Sequence, residues 1–193
     1  HLFTDGEDRH MDRSDKMLKA RVFAGSCLLG AGLLVTGAAH AATEVEMHSV
    51  STDGIGDSLG TISFEDSEHG LRITPDLEGL DTGIHGLHVH VNPSCEPAEK
   101  DGETVAAAAA GGHFDPEDTG THQGPYGDGH LGDLPALAVG QQGEATLPTL
   151  APRISEEDLA GHAIMIHTGG DNYSDEPKLG GGGARVACGV IEG

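Results

Sequence analysis

Tryptophan is absent from this chain, and tyrosine and phenylalanine occur only two and four times in 193 residues. A core that cannot rest on aromatic rings must be built from small aliphatic side chains, while 31 glycines supply many turns. Short strands suit that composition, and long helices, which glycine weakens, do not. Basic residues are scarce too: ten Lys and Arg stand against 32 Asp and Glu, giving a net charge of −22. Nucleic acid, a polyanion gripped by Lys and Arg, is excluded as a partner. The acids are scattered among apolar runs and glycine turns, so they describe a solvated surface, one suited to a salty medium that screens self-repulsion. The length accommodates one domain with a real core.

Long hydrophobic runs are confined to the beginning. From Met17 the chain has a basic start (Lys19, Arg21), an apolar stretch from Val22 to Val35, and small residues ending Ala39-His40-Ala41. This is the three-part pattern of a secretory signal, predicted to span 17–41 with cleavage after Ala41. The stretch is too short and glycine-rich for a membrane anchor, so stable membrane insertion is not expected once it is removed. Residues 1–16 form a polar upstream segment, and 42–193 form the mature domain. Cysteine occurs three times. Cys27 leaves with the leader, and the remaining pair, Cys95 and Cys188, is most simply a disulfide in an exported protein.

Eight short segments carry alternating or β-branched character: Thr43 to Val50, Leu59 to Phe64, Leu71 to Asp76, His85 to Val91, Leu134 to Val139, Glu144 to Leu150, Ala163 to His167 and Ala184 to Ile191. Turn signals such as Asp53-Gly54, Asp101-Gly102 and Gln142-Gly143 separate them. The pattern predicts an all-β, eight-stranded antiparallel Greek-key sandwich or barrel. Only Ser155 to Leu159, with Ser155 and Asp158 spaced as a capping box, reads as a helical turn. Asn92 to Asp133 and Thr168 to Gly183 fit no strand, and loops of that length in a compact domain are usually functional. The apolar run Val105 to Ala110 is assigned a packing role inside the first loop.

Ten histidines follow Ala41, more than core packing requires. His88 and His90, two apart on a predicted strand, leave the same face and can reach one ion. His113, His122, His130 and Asp133 lie in a glycine-rich loop, and three His with one Asp form a reasonable tetrahedral zinc shell, neutral imidazole suiting copper and zinc alike. His167 ends a strand. His48, His69, His85 and His162 are assigned no metal.

The stretches Gly86-Leu87-His88-Val89-His90, Gly111-Gly112-His113-Phe114-Asp115-Pro116, Gly127 to Asp133 (GDGHLGD) and Gly180 to Gly189 (GGGGARVACG) resemble the copper/zinc superoxide dismutases, particularly the bacterial periplasmic branch. The resemblance covers Thr43 to Gly193. It implies one copper held by His88, His90, His113 and His167, and one zinc held by His113, His122, His130 and Asp133, with the His113 ring bridging the two. It further implies that Asp171 hydrogen-bonds His88 and His122 and orients them. Arg185 is implied as the catalytic arginine that attracts superoxide, the substrate, with Lys100 and Lys178 assisting. The implied reaction is dismutation to O₂ and hydrogen peroxide in the periplasm; a homodimer is a further expectation. A non-catalytic copper/zinc carrier of the same fold is the alternative reading, but a carrier would lack ligands or Arg185. A zinc hydrolase would place a Glu at general-base spacing from paired His on a helix, and none is present.

Overall fold

A computed structural model describes residues 42–193; the leader and the segment before it lie outside the described residues. Eleven strands are β1 (Thr43–Ser51), β2 (Gly54–Ser67), β3 (Gly70–Leu77), β4 (Gly83–His85), β5 (Leu87–His90), β6 (Ala98–Lys100), β7 (Glu103–Val105), β8 (Leu137–Val139), β9 (Thr149–Ala151), β10 (His162–His167) and β11 (Arg185–Ile191). Seven of them form one antiparallel sheet in the order β5-β10-β11-β1-β2-β3-β9, and β4-β8 and β6-β7 form two short pairs. Chain-distant neighbours, β5 beside β10 and β11 beside β1, are the crossings of a Greek-key fold. The expected all-β antiparallel class therefore holds.

The inventory departs from eight strands for local reasons. The expected strand His85 to Val91 is cut at Gly86, whose N–H donates to Gly169 O (2.8 Å) and whose carbonyl accepts from His167 N–H (3.0 Å). The chain thereby leaves β8 and joins β10. Leu134 to Val139 and Glu144 to Leu150 survive only at their ends, as β8 and within β9. The loop after Asn92 was expected to hold no strand, yet it folds into the β6-β7 hairpin around Asp101-Gly102. The expected helical turn forms as a 3₁₀ turn over Glu156–Leu159, with its Ser155–Asp158 capping box, and the apolar run in the first long loop ends in another, Ala108–Ala110, whose Ala110 is buried.

The main core consists of small aliphatics and one ring: Ile62, Phe64, Leu71, Ile73, Leu77, Ile164 and Ile166 are fully buried. A second apolar cluster lies under the first long loop, where Ala107 and Ala110 pack with Ala163, Met165, Cys95 and Cys188. Cys95 and Cys188 are bonded as a disulfide, across a sequence separation of 93. It pins the loop to β11, the strand that begins with Arg185. In the chain-entropy view a closed loop of that length contributes about 4 to 5 kcal/mol. Reduction should lower stability by a few kcal/mol in denaturant melts, and two free thiols in the unreduced native protein would contradict the pairing.

Candidate metal centre

The polar half of β5 builds one side of the site. Leu87 and Val89 face the main core, and the alternating His88 and His90 leave the opposite face, both buried. Bridges pair His90 with His113 and His88 with Asp133, which draws the long loop across the strand. His167 arrives from the end of neighbouring β10. One ligand atom each from His88, His90, His113 and His167 falls within a mutual 4.8 Å, and so does a second set from His88, His113, His122 and Asp133. His88 and His113 belong to both. His130 stays outside that second group, with its Nδ1 3.4 Å from Asp133 Oδ1 and its ring centroid 5.3 Å from that of His113.

Hydrogen bonds fix which nitrogen of each ring carries the proton. His90 Nδ1 lies 3.0 Å from Gly111 O and His167 Nδ1 3.3 Å from Gly183 O. A carbonyl only accepts, so Nδ1 is the donor in both rings and Nε2 keeps its lone pair. His88 and His122 turn the other way: each Nε2 sits 2.8 Å from a different oxygen of Asp171, leaving Nδ1 bare. Asp171 thus ties the two groups together from behind. Gly180 permits this, since a Cβ there would come 2.0 Å from Asp171 Oδ1. His113 Nδ1 faces Asp133 Oδ1 at 2.9 Å, and its ring also lines a cavity.

His88 Nδ1, His90 Nε2, His122 Nδ1, His130 Nδ1 and His167 Nε2 are buried without a hydrogen-bond partner. His122 Nδ1 is 2.9 Å from Asp133 Oδ2, but the two are not aligned to share a proton. They aim at a common point instead. Leaving aside His122, whose ring two carboxylates favour in the protonated form, four unpartnered ring nitrogens in one small volume would be a heavy desolvation cost in a purely structural core. A cation in each group removes it, so the donor set of neutral imidazoles and one carboxylate fits metal ions well.

Burial shapes the electrostatics. It pushes His90 well below its ordinary range, His113 down to about 4 and His167 down to about 3, with neighbouring histidines adding to the effect. Burial would also lower His122, but Asp133 and Asp171 outweigh it and raise the ring to about 9. Both carboxylates are held far below the usual range, because their hydrogen bonds to imidazoles overcome burial.

The cavity in front of the first group, about 470 Å³, is lined by His90, His113, His167, Lys100, Glu99 and Arg185, among others. Lys178, expected nearby, is not part of that lining. The Arg185 guanidinium donates to Ala107 O and Gly111 O, and Gly111 O also accepts from His90. One carbonyl of the disulfide-pinned loop thus orients a cluster histidine and the arginine together. That link was invisible in the sequence, since any residue has a carbonyl. The unassigned histidines are accounted for: His85 spans Asp81 O and His167 O (2.8 and 2.7 Å), His162 Nδ1 meets Val91 O, and His48 and His69 lie beside Glu46 and Glu68.

A family model for copper/zinc superoxide dismutase (SODC) matches residues 58–191. The chain belongs to the copper/zinc superoxide dismutase family. It is 54% identical over 162 residues to copper-zinc superoxide dismutase 2 of Salmonella typhimurium, covering 83% of this chain and 94% of that protein. Against the Escherichia coli K12 copper-zinc superoxide dismutase the identity is 51%, with the same coverage. Among solved structures, the Brucella abortus Cu/Zn superoxide dismutase matches with a TM-score of 0.77 and 48% identity, covering 79% of this chain and all of that one. The monomeric enzyme of Salmonella enterica gives 0.71 and 55%, with the same coverage. Copper and zinc are the metals of this family, and both clusters of the superoxide dismutase fold are made of donors suited to them.

Proposed function

We propose that the chain dismutates superoxide, two O₂⁻ and two protons giving O₂ and H₂O₂. The observation that carries this reading is the pair of buried clusters that share His88 and His113 and open on a cavity that Arg185 lines. In this reading His88, His90, His113 and His167 hold copper, and His113, His122, His130 and Asp133 hold zinc. Copper, when bound, supplies one-electron chemistry between +2 and +1, and zinc, which has none, supplies fixed positive charge.

The chain's own groups do the rest. Arg185, braced by two carbonyls, draws the anion into a cavity that the global charge of −22 would otherwise keep empty. Lys100 on the same wall adds to that field. With Nδ1 directed at Asp133 and the zinc group, His113 would serve copper through Nε2, and whenever that nitrogen is free of copper it would carry the proton that goes to the departing peroxide. Asp171 and Gly111 keep the surrounding rings in the tautomers that leave lone pairs pointing inward.

Zinc binding should depend on pH. In the metal-free protein at pH 7, His122 is protonated and His113 and His167 are neutral. Zinc must expel that proton, so zinc affinity should fall about ten-fold per pH unit as pH drops below about 9, a loss to which the neutral His113 ring does not add until about pH 4. Titration calorimetry in buffers of different ionisation heat should count about one proton released when zinc alone binds near pH 7, and one more, from His113, when the second ion makes its ring a shared imidazolate.

Superoxide decay by stopped flow, before and after chelation, tests the function. Activity should vanish with the metals and return with copper, not with zinc alone. A chain that held both ions yet left superoxide decay unchanged would be a carrier. The leader pattern and the disulfide support export to the periplasm after cleavage following Ala41, without lasting membrane insertion. Among the described residues no helix is long and apolar enough to cross a membrane. The sequence allows a homodimer without deciding the oligomeric state, and the Salmonella enterica relative is monomeric; sedimentation of the mature chain decides between the two.

A further inference from the structure

Only five Lys and Arg follow Ala41, so each cation in this acidic chain invites the question of what it holds. Arg153 lies two residues past β9 and lines a cavity with Asp115, Glu117 and Asp128. Its guanidinium nevertheless spends its hydrogen bonds on backbone. Among the described residues it donates to three acceptors, all carbonyls: Gly129 O at 2.7 Å, His130 O at 3.4 Å and Gly124 O at 3.5 Å.

Those carbonyls belong to two limbs of one loop. Gly124 lies two residues beyond His122 on the first limb, and Gly129 and His130 are on the second. The limbs also meet through His130 N–H donating to Thr121 O (2.9 Å), and they pack so closely that a Cβ on Gly129 would come 2.4 Å from that same oxygen. His130 differs from its neighbours in a telling way. His88, His90, His122 and His167 are each oriented by a hydrogen bond to one ring nitrogen, whereas among the described residues no hydrogen bond orients the His130 ring. Its place therefore depends more on its backbone than theirs do, and Arg153 grips that backbone.

We propose that Arg153 is the positioning residue for the zinc half of the site, its planar fork locking the His130 limb against the His122 limb. The inference rests on the assignment of zinc to His113, His122, His130 and Asp133. A guanidinium suits the task because its N–H groups leave in fixed, divergent directions, which the single ammonium of lysine cannot reproduce.

The test uses the full mature chain with copper bound and Co²⁺ as a visible probe in place of zinc. Arg153→Met keeps the stem and removes the fork; Arg153→Lys keeps the charge. Release of Co²⁺ and of zinc to a chelator should speed up by about 10- to 100-fold in Arg153→Met, within the range seen when groups that orient ligands are removed, and by less in Arg153→Lys. The Co²⁺ absorption band should shift in both, while copper retention and the melting temperature of the metal-free protein stay close to wild type. Unchanged zinc release and an unchanged Co²⁺ band would overturn the proposal. So would equal loss of copper and zinc accompanied by a lower metal-free melting temperature, which would mark Arg153 as a general support of the fold. Failure of the wild type to give any tetrahedral Co²⁺ band would instead refute the zinc assignment itself, and the inference with it.

Discussion

Arg185→Glu should slow superoxide dismutation by at least about ten-fold while both metals stay bound. The magnitude is that of electrostatic focusing into a cleft, for which superoxide dismutases are themselves a known example. The chain makes the experiment unusually clean. Its net charge of −22 repels an anion at long range, so attraction must come from a few nearby positive groups. Of the side chains lining the cavity, only Arg185 and Lys100 are cationic, apart from the histidines, and Glu99 opposes them. Replacing Arg185 by an acid therefore turns the net charge of the lining Arg, Lys and Glu side chains from positive to negative, so that they join the global charge of −22 against the bound metals. Added salt should slow the wild-type reaction, because it screens an attraction, and speed the variant, because it screens a repulsion. The reversal is the informative part. Stopped-flow rates across an ionic-strength series check it, and equal salt dependence in the two proteins would mean that Arg185 does not guide the substrate.

His113→Ala should cost more. No other side chain is assigned to both ions and to proton delivery, so the variant loses a ligand of each metal and the group at Nε2 that hands over the proton. The loss of a positioned proton donor alone is worth about 10² to 10⁴ in rate. Activity should drop by at least about a hundred-fold, and the effect should persist when copper is resupplied in excess. Superoxide assays alongside metal analysis separate the two contributions: a variant that keeps its copper and remains fully active would show that the proton does not come from this ring.

Much of this site was legible because its donors sit in short motifs. His88-Val89-His90 is read from strand alternation alone, and the glycine-rich run around His130 and Asp133 signals a loop that can fold inward. Strand β3, with its clean burial alternation, was equally plain. What escaped detection depended on distant partners. Nothing between His85 and Val91 announces a break at Gly86, since the break is made by Gly169 and His167 from the far end of the chain. Strands β6 and β7 are three residues each, too short to show a period, and only their Asp101-Gly102 turn carried a signal. The grip of Arg153 and the shared carbonyl of Gly111 were hidden for a different reason: their acceptors are backbone, which sequence does not distinguish. Asp175, whose carboxylate accepts from the His122 N–H, was likewise one acid among many.

The central claim is that a single imidazole, that of His113, lies between two ions. Electron paramagnetic resonance of the chain carrying Cu(II) in one cluster and Co(II) in place of zinc addresses it directly. A shared imidazolate would couple the two spins and abolish the ordinary copper signal in the wild type, and that signal should reappear at full intensity in His113→Ala with both ions bound. A full-intensity, uncoupled copper signal in the doubly loaded wild type would contradict the account.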